Sequence, residues 1–322
     1  MSDGVRIFRS LEEARPEFGP SALTIGNFDG VHAGHRRILR RTCEVAKQNG
    51  WKPSVLTFHP HPTRIVAPAR SPRLMTTPEQ RCRLMEQEGI RQVLILPFTE
   101  DIARISPESF VREVLVDALG ARAVLVGENF RFGHKHAGDV RLLRELGDQI
   151  GLITEVVPAV TMRRSFVSSS EIRRLIEAGE VSRAGRLLDR PFALEGEVVH
   201  GHGIGAAKTV PTLNLATRAE VLPAAGVYIT RTEDPDGRSW PSVTNVGYRP
   251  TFGGHDLSIE TYLLKGLEGP SPQKIRVEFL RRLREEKKFD SPEQLKAQIL
   301  RDVGRAQAYF RRIPCHNHSS RR

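Results

Sequence analysis

The chain has 322 residues, 39% of them hydrophobic, and its 49 Lys and Arg against 38 Asp and Glu give a net charge of +11. This length predicts two domains with a sizeable core, and the lack of any run of 18 apolar residues argues against a membrane-spanning segment. Three cysteines without a Cys-x-x-Cys pair argue against a disulfide framework or a zinc site. Because the opening MSDGVRIFRS lacks the apolar region of a secretion signal, we expect a cytoplasmic protein with no membrane partner.

Short, almost continuously apolar runs alternate with helical periodicity from residue 21 to about residue 180. The runs are 21–26, 53–58, 92–98, 123–127 and 152–157. Strands that are buried on both faces have this composition, so the pattern predicts five parallel strands in an α/β, doubly wound sheet. One intervening helix is predicted between Ser106-Pro107 and Gly120, with apolar residues at helical spacing from Phe110 to Leu119.

The pattern changes near residue 190, where alternating segments separated by Gly, Pro and Asp clusters begin. The segments are 193–199, 226–232, 258–264 and 275–280. They predict an antiparallel β-barrel. A C-terminal helix is predicted roughly from Ser291 to Phe310, because Leu295, Ile299 and Val303 share one helical face. We therefore expect domains at 1–185 and 186–314, followed by a polar, disordered tail at 315–322.

The stretch GNFDGVHAGH, residues 26–35, follows the first predicted strand. Ligands of an open parallel sheet bind at the carboxyl ends of the strands, and a helix N-terminus attracts anions such as phosphate. His32 and His35 are three residues apart, so they share a face of the opening helical turn and can both donate to phosphate oxygens. Taken alone, such a histidine pair is more often incidental polar surface.

Three further stretches follow predicted strands at the same edge of the sheet: TFHPHP (57–62), GENFRFG (127–133) and SSSEIR (168–173). Together with GNFDGVHAGH they resemble the adenylyltransferase module of bacterial bifunctional riboflavin kinase/FAD synthetases. The HAGH segment also has the HxGH pattern of the wider nucleotidyltransferase superfamily. The resemblance implies a Rossmann-like nucleotidyltransferase domain that joins FMN to the AMP part of ATP and releases FAD and pyrophosphate.

The same resemblance implies roles for individual residues of the first domain. His32 and His35 would hold the ATP phosphates, while Ser169, Ser170 and Arg173 would clamp phosphates from the last helix; an N-capping serine and a solvated arginine are the plainer alternatives. The other residues of the ATP and FMN site would be Gly26, Asn27, Phe28, Asp29, Gly34, His59, Pro60, Asn129 and Arg131. The family usually has Ser-Ser-Thr at residues 168–170, where this chain has Ser-Ser-Ser.

The second domain resembles the riboflavin kinase barrel of the same family, through stretches such as EGEVVHGHGIG (195–205), PTLNL (211–215) and TNVGYRPTF (244–252). The resemblance implies that Thr212 and Asn214 bind Mg²⁺ and ATP oxygens and that Glu260 accepts the proton of the riboflavin 5′-hydroxyl. Lys208 is expected to replace the phosphate-binding cation that the usual flap carries, although a point charge is not a planar fork. Strand alternation places Glu260 on the same face as Tyr262. Without the resemblance, a solvent-facing glutamate and turn residues after a proline would be the simpler interpretation.

Departures from the family leave alternatives open. The flap sequence GIGAAKTVPTLN has Ala206, Thr209 and Val210 where Arg, Gly and an aromatic residue are usual, and GLEGPSPQ (266–273) replaces an Asp-Leu-Tyr-Gly segment. An FMN adenylyltransferase with a weakened or lost kinase domain is therefore one alternative. Another HxGH nucleotidyltransferase is a second, although it would leave GENFRFG and the barrel unexplained.

A basic nucleic-acid-binding protein on a degenerate scaffold is the third alternative, since it would use the positive charge directly. Against it, only 6% of residues are aromatic and no nucleic-acid-binding motif is present. We expect a bifunctional enzyme that uses riboflavin, FMN, ATP and Mg²⁺, forms FAD, and binds no nucleic acid. The sequence leaves the oligomeric state open.

Overall fold

The chain divides into two compact units, Met1–Ser169 and Ser170–Arg322. The structure is a computed structural model that describes residues 4–162, 165–199, 212–251, 254–267 and 269–312. The predicted domain boundary between residues 185 and 186 stays a prediction, and the predicted tail at 315–322 lies outside the described residues.

The first unit contains a six-stranded sheet in which all neighbouring strands are parallel. Its strands are β1 (Arg6–Phe8), β2 (Ser21–Ile25), β3 (Lys52–His59), β4 (Gln92–Pro97), β5 (Ala121–Gly127) and β6 (Ile153–Val157). The order β1-β4-β3-β2-β5-β6 confirms the five predicted strands and adds β1, whose three residues are too few to show a period. Because the chain runs from β2 to β4 on one side and continues with β5 on the other, its direction switches beside β2.

Helices cover both faces of this sheet. They are α1 (Leu11–Ala14), α2 (Ala33–Asn49), α3 (Pro62–Val66), α4 (Pro78–Gln87), α5 (Glu100–Arg104), α6 (Pro107–Ser109) and α7 (Val140–Ile150). Alternate strand residues belong to different apolar clusters: Leu23 and Leu94 pack with Leu143 of α7, whereas Val55 and Val93 pack with Met85 of α4. The predicted doubly wound α/β architecture is thereby confirmed.

The helix predicted after Ser106 forms, but most of it is π-helical. After α6, residues Phe110–Ala118 adopt the wider helix, and the Leu119 amide donates to the Val114 carbonyl oxygen, five residues back. The predicted apolar face is buried throughout. The sequence pattern predicts which face is buried, but it does not predict the hydrogen bonds between residues five apart.

A short hairpin, β7 (Thr161–Met162) and β8 (Ser165–Phe166), follows the sheet. In the second unit, helices α8 (Ser169–Glu177, beginning at the last residue of the first unit) and α9 (Val181–Leu188) precede a closed antiparallel barrel. The barrel strands are β9 (Phe192–Val199), β10 (Thr212–Ala216), β11 (Gly226–Glu233), β12 (Ser239–Thr251), β13 (Gly254–Leu263) and β14 (Lys274–Glu285). The predicted antiparallel barrel is confirmed, in the order β10-β13-β12-β11-β14-β9.

The predicted C-terminal helix is α10 (Pro292–Arg312). Its Asp302 is only 2% exposed and accepts hydrogen bonds from Arg284 Nε on β14, at 2.8 Å, and from Gln298 Nε2, at 2.9 Å. Leu295 and Ile299, which were expected on the apolar face, are 43% and 45% exposed. The helix therefore packs on the barrel through its second half.

Candidate functional site

The loops that follow β2, β3 and β5 meet at one edge of the sheet. Strand β2 lies between β3 and β5, with Ile25 paired to Leu56 and Thr24 paired to Leu125. Since all three strands are parallel, GNFDGVHAGH, TFHPHP and GENFRFG begin at the same carboxyl edge, as the sequence predicts. This edge includes the point where the chain direction switches, which is the usual ligand position in open α/β sheets.

The corner loop, residues 26–31, has an unusual backbone. Phe28, Gly30 and Val31 have positive φ angles of 50°, 79° and 39°. A left-handed backbone is easy for glycine but uncommon for phenylalanine and strained for a β-branched valine. Such strain persists only where the surroundings hold the backbone in place, and it is concentrated at functional sites.

The Asp29 side chain is one of the groups that hold the corner loop. It is 2% exposed, and its Oδ1 accepts hydrogen bonds from Met75 N at 3.0 Å, Thr76 N at 3.1 Å and Thr76 Oγ1 at 3.0 Å. The Gly30 amide donates to the same threonine hydroxyl at 3.0 Å, and Ser169 Oγ donates to the Asp29 carbonyl oxygen at 3.1 Å. Asp29 thus shapes the loop by binding backbone amides from the segment before α4.

His32 and His35 form a stacked pair at the start of α2. Their ring centroids are 3.6 Å apart with an interplanar angle of 14°, and the rings of Phe28 and His35 form a T-shaped pair with centroids 5.1 Å apart. His32 is the N-cap: its Nδ1 accepts a hydrogen bond from the His35 amide at 3.3 Å. In the neutral ring the proton is consequently assigned to Nε2, which makes that nitrogen a donor.

Gly34 leaves room for the His32 ring. A Cβ atom at this position would lie 3.2 Å from His32 Cε1 and 3.3 Å from His32 Nδ1, closer than ordinary van der Waals contact. The glycine of the HxGH pattern therefore leaves room for the imidazole that caps the helix.

Asn27 is held at both its side chain and its carbonyl. Its Nδ2 lies 2.9 Å from His61 Nε2, and its carbonyl oxygen accepts hydrogen bonds from Arg81 Nη1 at 2.6 Å and Thr57 Oγ1 at 3.4 Å. The sequence did not single out His61, although it lies in TFHPHP, or Arg81. A signal for Arg81 exists: it has the helical spacing of Met85, so a charge occupies the apolar face of α4.

His59 and Pro60, the residues predicted from TFHPHP, lie where β3 ends, and His59 is exposed. Partial desolvation of its imidazole, together with the positive charges of Arg81 and Arg64, lowers the pKa of His59 below its ordinary value of 6.5. The ring is therefore neutral at pH 7.

The loop that carries Asn129 and Arg131 is closed on itself by Phe132. Phe132 is buried, stacks on Phe130 at 5.5 Å and exchanges backbone hydrogen bonds with Gly138. Asn129 and Arg131 are exposed, and Arg131 Nη1 donates to the Phe130 carbonyl oxygen at 3.2 Å. The aromatic residues thus anchor the loop while the two predicted polar residues face outward at the carboxyl edge.

Ser169 and Ser170 are the first two residues of α8, so they lie within the helix and not at the N-cap position before it. Ser169 contacts the corner loop through the hydrogen bond to Asp29 described above. Arg173 follows one turn later in the second unit and is half-buried.

In the barrel, Glu260 lies in a row of polar side chains on one face of three strands. It pairs with Asn214 of β10 on one side and Asn245 of β12 on the other, and Ser258 Oγ donates to its Oε1 at 2.9 Å. The buried residues Ile259 and Thr261 point the opposite way, into the barrel. The alternation is as predicted, and the cross-strand neighbours of Glu260 are two amides, which sequence alternation did not identify.

Thr212 and Asn214 occupy alternate positions of β10, so they share this polar face and are strand residues, not turn residues. Hydroxyl and amide oxygens suit Mg²⁺, which commonly takes one or two protein ligands and completes its shell with substrate phosphates and water. Within the described part of the chain, no cluster of three or more His, Cys, Asp or Glu could hold a metal ion. Lys208 and the flap residues Ala206, Thr209 and Val210 lie outside the described residues.

Among the described helices, none has the length and apolar character needed to cross a membrane.

Comparisons with known proteins cover both units. The FAD synthetase family model matches residues 15–171, and the riboflavin kinase family model matches residues 188–310. A bifunctional riboflavin kinase/FMN adenylyltransferase of Pseudomonas fluorescens is 36% identical over 94% of this chain and 97% of its own length. The Escherichia coli K12 protein of the same name is 32% identical over 95% and 97% of the two chains.

A crystal structure of a Streptococcus pneumoniae protein described as a macrolide-efflux protein superposes with a TM-score of 0.82 and 27% identity, covering 91% of this chain and 97% of that one. The two family models together match nearly the whole chain, as does each of the two relatives. The chain belongs to the family of bifunctional riboflavin kinase/FMN adenylyltransferases.

Proposed function

We propose that this chain phosphorylates riboflavin to FMN in its barrel and adenylylates FMN to FAD in its first unit, with one ATP consumed at each step. The stacked His32–His35 pair at the start of α2 is the observation that carries the assignment. It combines a helix N-terminus with an imidazole Nε2 donor at the switch point of a parallel sheet. Family membership supports both activities.

In the adenylyl transfer, an oxygen of the FMN phosphate attacks the α-phosphorus of ATP and pyrophosphate leaves. The reaction needs no protein nucleophile, so the enzyme contributes orientation and stabilisation of charge. His32 donates from Nε2 to a phosphate oxygen, because its Nδ1 is engaged in capping the helix. His35, the second proposed phosphate ligand, stacks against the His32 ring, and Phe28 packs against His35.

Further predicted residues complete the proposed nucleotide site. Gly26 and Gly34 keep the backbone close to the ligand, Asn27 lines the pocket, and Asp29 holds the corner loop in its strained conformation. Asn129 and Arg131 reach the ligand from the loop after β5. Ser169, Ser170 and Arg173 bind phosphate from α8, and His59 and Pro60 border the site from the end of β3.

In the barrel, Glu260 accepts the proton of the riboflavin 5′-hydroxyl as that oxygen attacks the γ-phosphorus of ATP and ADP leaves. The hydrogen bond from Ser258 orients the carboxylate. Thr212 and Asn214 would hold Mg²⁺, which neutralises phosphate charge when it is bound. Lys208 would contact phosphate from the flap.

Chromatography of flavins separates the two activities. Purified protein is incubated with ATP and Mg²⁺ and either riboflavin or FMN, and FMN and FAD are quantified. His32→Ala should reduce FAD formation from supplied FMN and leave riboflavin phosphorylation intact; Glu260→Ala should do the reverse. If each substitution impairs both steps equally, the assignment of the two steps to separate units is wrong.

The wild-type protein tests the alternative that the departures in the flap suggest. Riboflavin that stays unchanged, while FMN is still converted to FAD, would leave an adenylyltransferase with an inactive kinase barrel. Failure of both conversions would remove the proposed function.

A further inference from the structure

Arg81 is a buried arginine beneath the corner loop. It is 1% exposed on the inner face of α4, and its Nη1 donates to the Asn27 carbonyl oxygen at 2.6 Å. Its Nε and Nη2 are both inaccessible to solvent, and neither has a hydrogen-bond acceptor among the described residues. Buried guanidinium groups normally use their donors, because burial of an incompletely paired charge is costly.

The position of Arg81 links it to the carboxyl edge of the sheet. Asn27, whose carbonyl it contacts, lies five residues before His32, and the intervening loop has the positive φ angles described above. The same stretch of chain, Met75 to Arg81, also supplies the amides and the hydroxyl that bind Asp29. One element therefore holds the corner loop at Asn27, at Asp29 and at Gly30.

Arg81 and Asp29 interact through space and not as a hydrogen-bonded ion pair among the described contacts. Burial lowers the pKa of the guanidinium, and the Asp29 carboxylate opposes that effect through space. The Asp29 oxygens accept hydrogen bonds from Met75 and Thr76, and no hydrogen bond joins Asp29 to Arg81 among the described contacts. An arginine remains protonated in a protein even so, and a fixed positive charge therefore lies under the loop that we propose to bind anionic phosphates.

We propose that Arg81 is a positioning residue for adenylyl transfer: by its bond to the Asn27 carbonyl and its buried charge, it sets the corner loop that presents His32 to the triphosphate. This inference rests on the proposed adenylyltransferase function. In this proposal Arg81 contacts no reacting atom and acts through the backbone of the corner loop, which it contacts at Asn27. An apolar side chain such as methionine would fill the same space without the cost of a buried charge, which is why the charge itself points to the reaction.

The test compares Arg81→Ala with Arg83→Ala, a matched control on the exposed side of the same helix. The chain has two tryptophans, Trp51 in the first unit and Trp240 in the second. In a Trp240→Phe background, Trp51 fluorescence therefore reports folding of the first unit alone. FAD formation from supplied FMN is measured to obtain kcat and KM, and riboflavin phosphorylation is measured on the same preparations.

For Arg81→Ala we expect kcat for FAD formation to fall about tenfold to a hundredfold, with a smaller change in KM for FMN. Millimolar guanidinium should restore much of this kcat, since the ion can occupy the space left by the side chain. Arg83→Ala should match the wild type in both reactions, and riboflavin phosphorylation should be unchanged in every variant.

An Arg81→Ala kcat within twofold of the wild type would overturn the inference. So would a loss of kcat that guanidinium does not restore and that parallels a loss of Trp51-reported stability, because a merely structural role predicts that pattern. If Arg81→Ala does not fold, Arg81→Met, which fills the same space without a charge or a hydrogen-bond donor, decides the question: a lowered kcat in a folded first unit supports the inference, and a wild-type kcat rejects it. Absence of FAD formation by the wild type would instead refute the proposed function.

Discussion

Gly34→Ala should impair adenylyl transfer with little effect on stability. The new Cβ would lie 3.2 Å from His32 Cε1, so the ring must move by a few tenths of an ångström. Disturbing the N-cap bond costs about 1 kcal/mol, whereas alanine in a helix gains up to about 1 kcal/mol over glycine. The two effects nearly cancel, and we expect the free energy of unfolding of the first unit to change by less than about 1 kcal/mol.

The effect on rate is larger because the ring that moves is the one assigned to the phosphates. A displacement of about 1 Å can cost about a hundredfold in rate, so a smaller shift should reduce kcat for FAD formation by about tenfold, or about 1.4 kcal/mol in the barrier. The assay supplies FMN and ATP and follows FAD by chromatography, while urea unfolding is followed by Trp51 fluorescence in a Trp240→Phe background.

Gly304→Ala is the control, because Gly304 lies in α10 and a Cβ there would meet nothing within 4 Å. It should leave both reactions unchanged. If Gly34→Ala forms FAD with the kcat of the wild type, the assignment of the His32 ring to the phosphates is refuted.

Three further outcomes follow from the described contacts. The unfolded chain takes up a proton at His59 near pH 6.5, whereas the folded chain, in which the pKa of His59 is lowered, does not. The free energy of unfolding should therefore fall as the pH decreases below 6.5. His59→Gln should flatten that decline in urea titrations between pH 7 and 5. Burial raises the pKa of the Cys43 and Cys82 thiols from 9.0 to about 11. At pH 8 we expect both to be alkylated about a hundredfold more slowly in the folded than in the urea-unfolded chain, as judged by peptide mass spectrometry, and equal rates would contradict the burial argument. Asp302→Ala removes the partner of the largely buried Arg284. It should lower the free energy of unfolding of the second unit by about 3–5 kcal/mol, measured by urea unfolding with Trp240 fluorescence. No change would mean that α10 packs on the barrel by apolar contact alone.

Local sequence pattern was sufficient for the principal elements of the fold. The strand β2 is fully buried and its apolar run was recognisable without any partner, as were the alternating strands β11 and β14. The edge strand β1 and the π-helical segment Phe110–Ala118 were not, since three residues carry no period and a π-helix buries nearly the same face as an α-helix.

The candidate site divides in the same way. His32 and His35 are close in sequence and at the start of a helix, so their shared face was predictable, although their stacking at 3.6 Å was not. Arg81 and Asn27 are 54 residues apart, and the charge could have pointed to solvent like most of the other arginines. The polar neighbours of Glu260 likewise depend on which strands flank β13 and in what register.

The amino-acid sequence alone determined the two-part architecture, the carboxyl edge on which the nucleotide motifs lie and the face of β13 that carries Glu260, because hydrophobic periodicity and motif spacing are properties of short segments. Tertiary structure decided which side chains hold those motifs in place: the Arg81 guanidinium under Asn27, the Thr76 hydroxyl on Asp29 and the Asn214–Glu260–Asn245 row. These contacts join residues that are distant along the chain. Their formation depends on sheet order and register, which the packing of the whole unit selects and no short segment encodes.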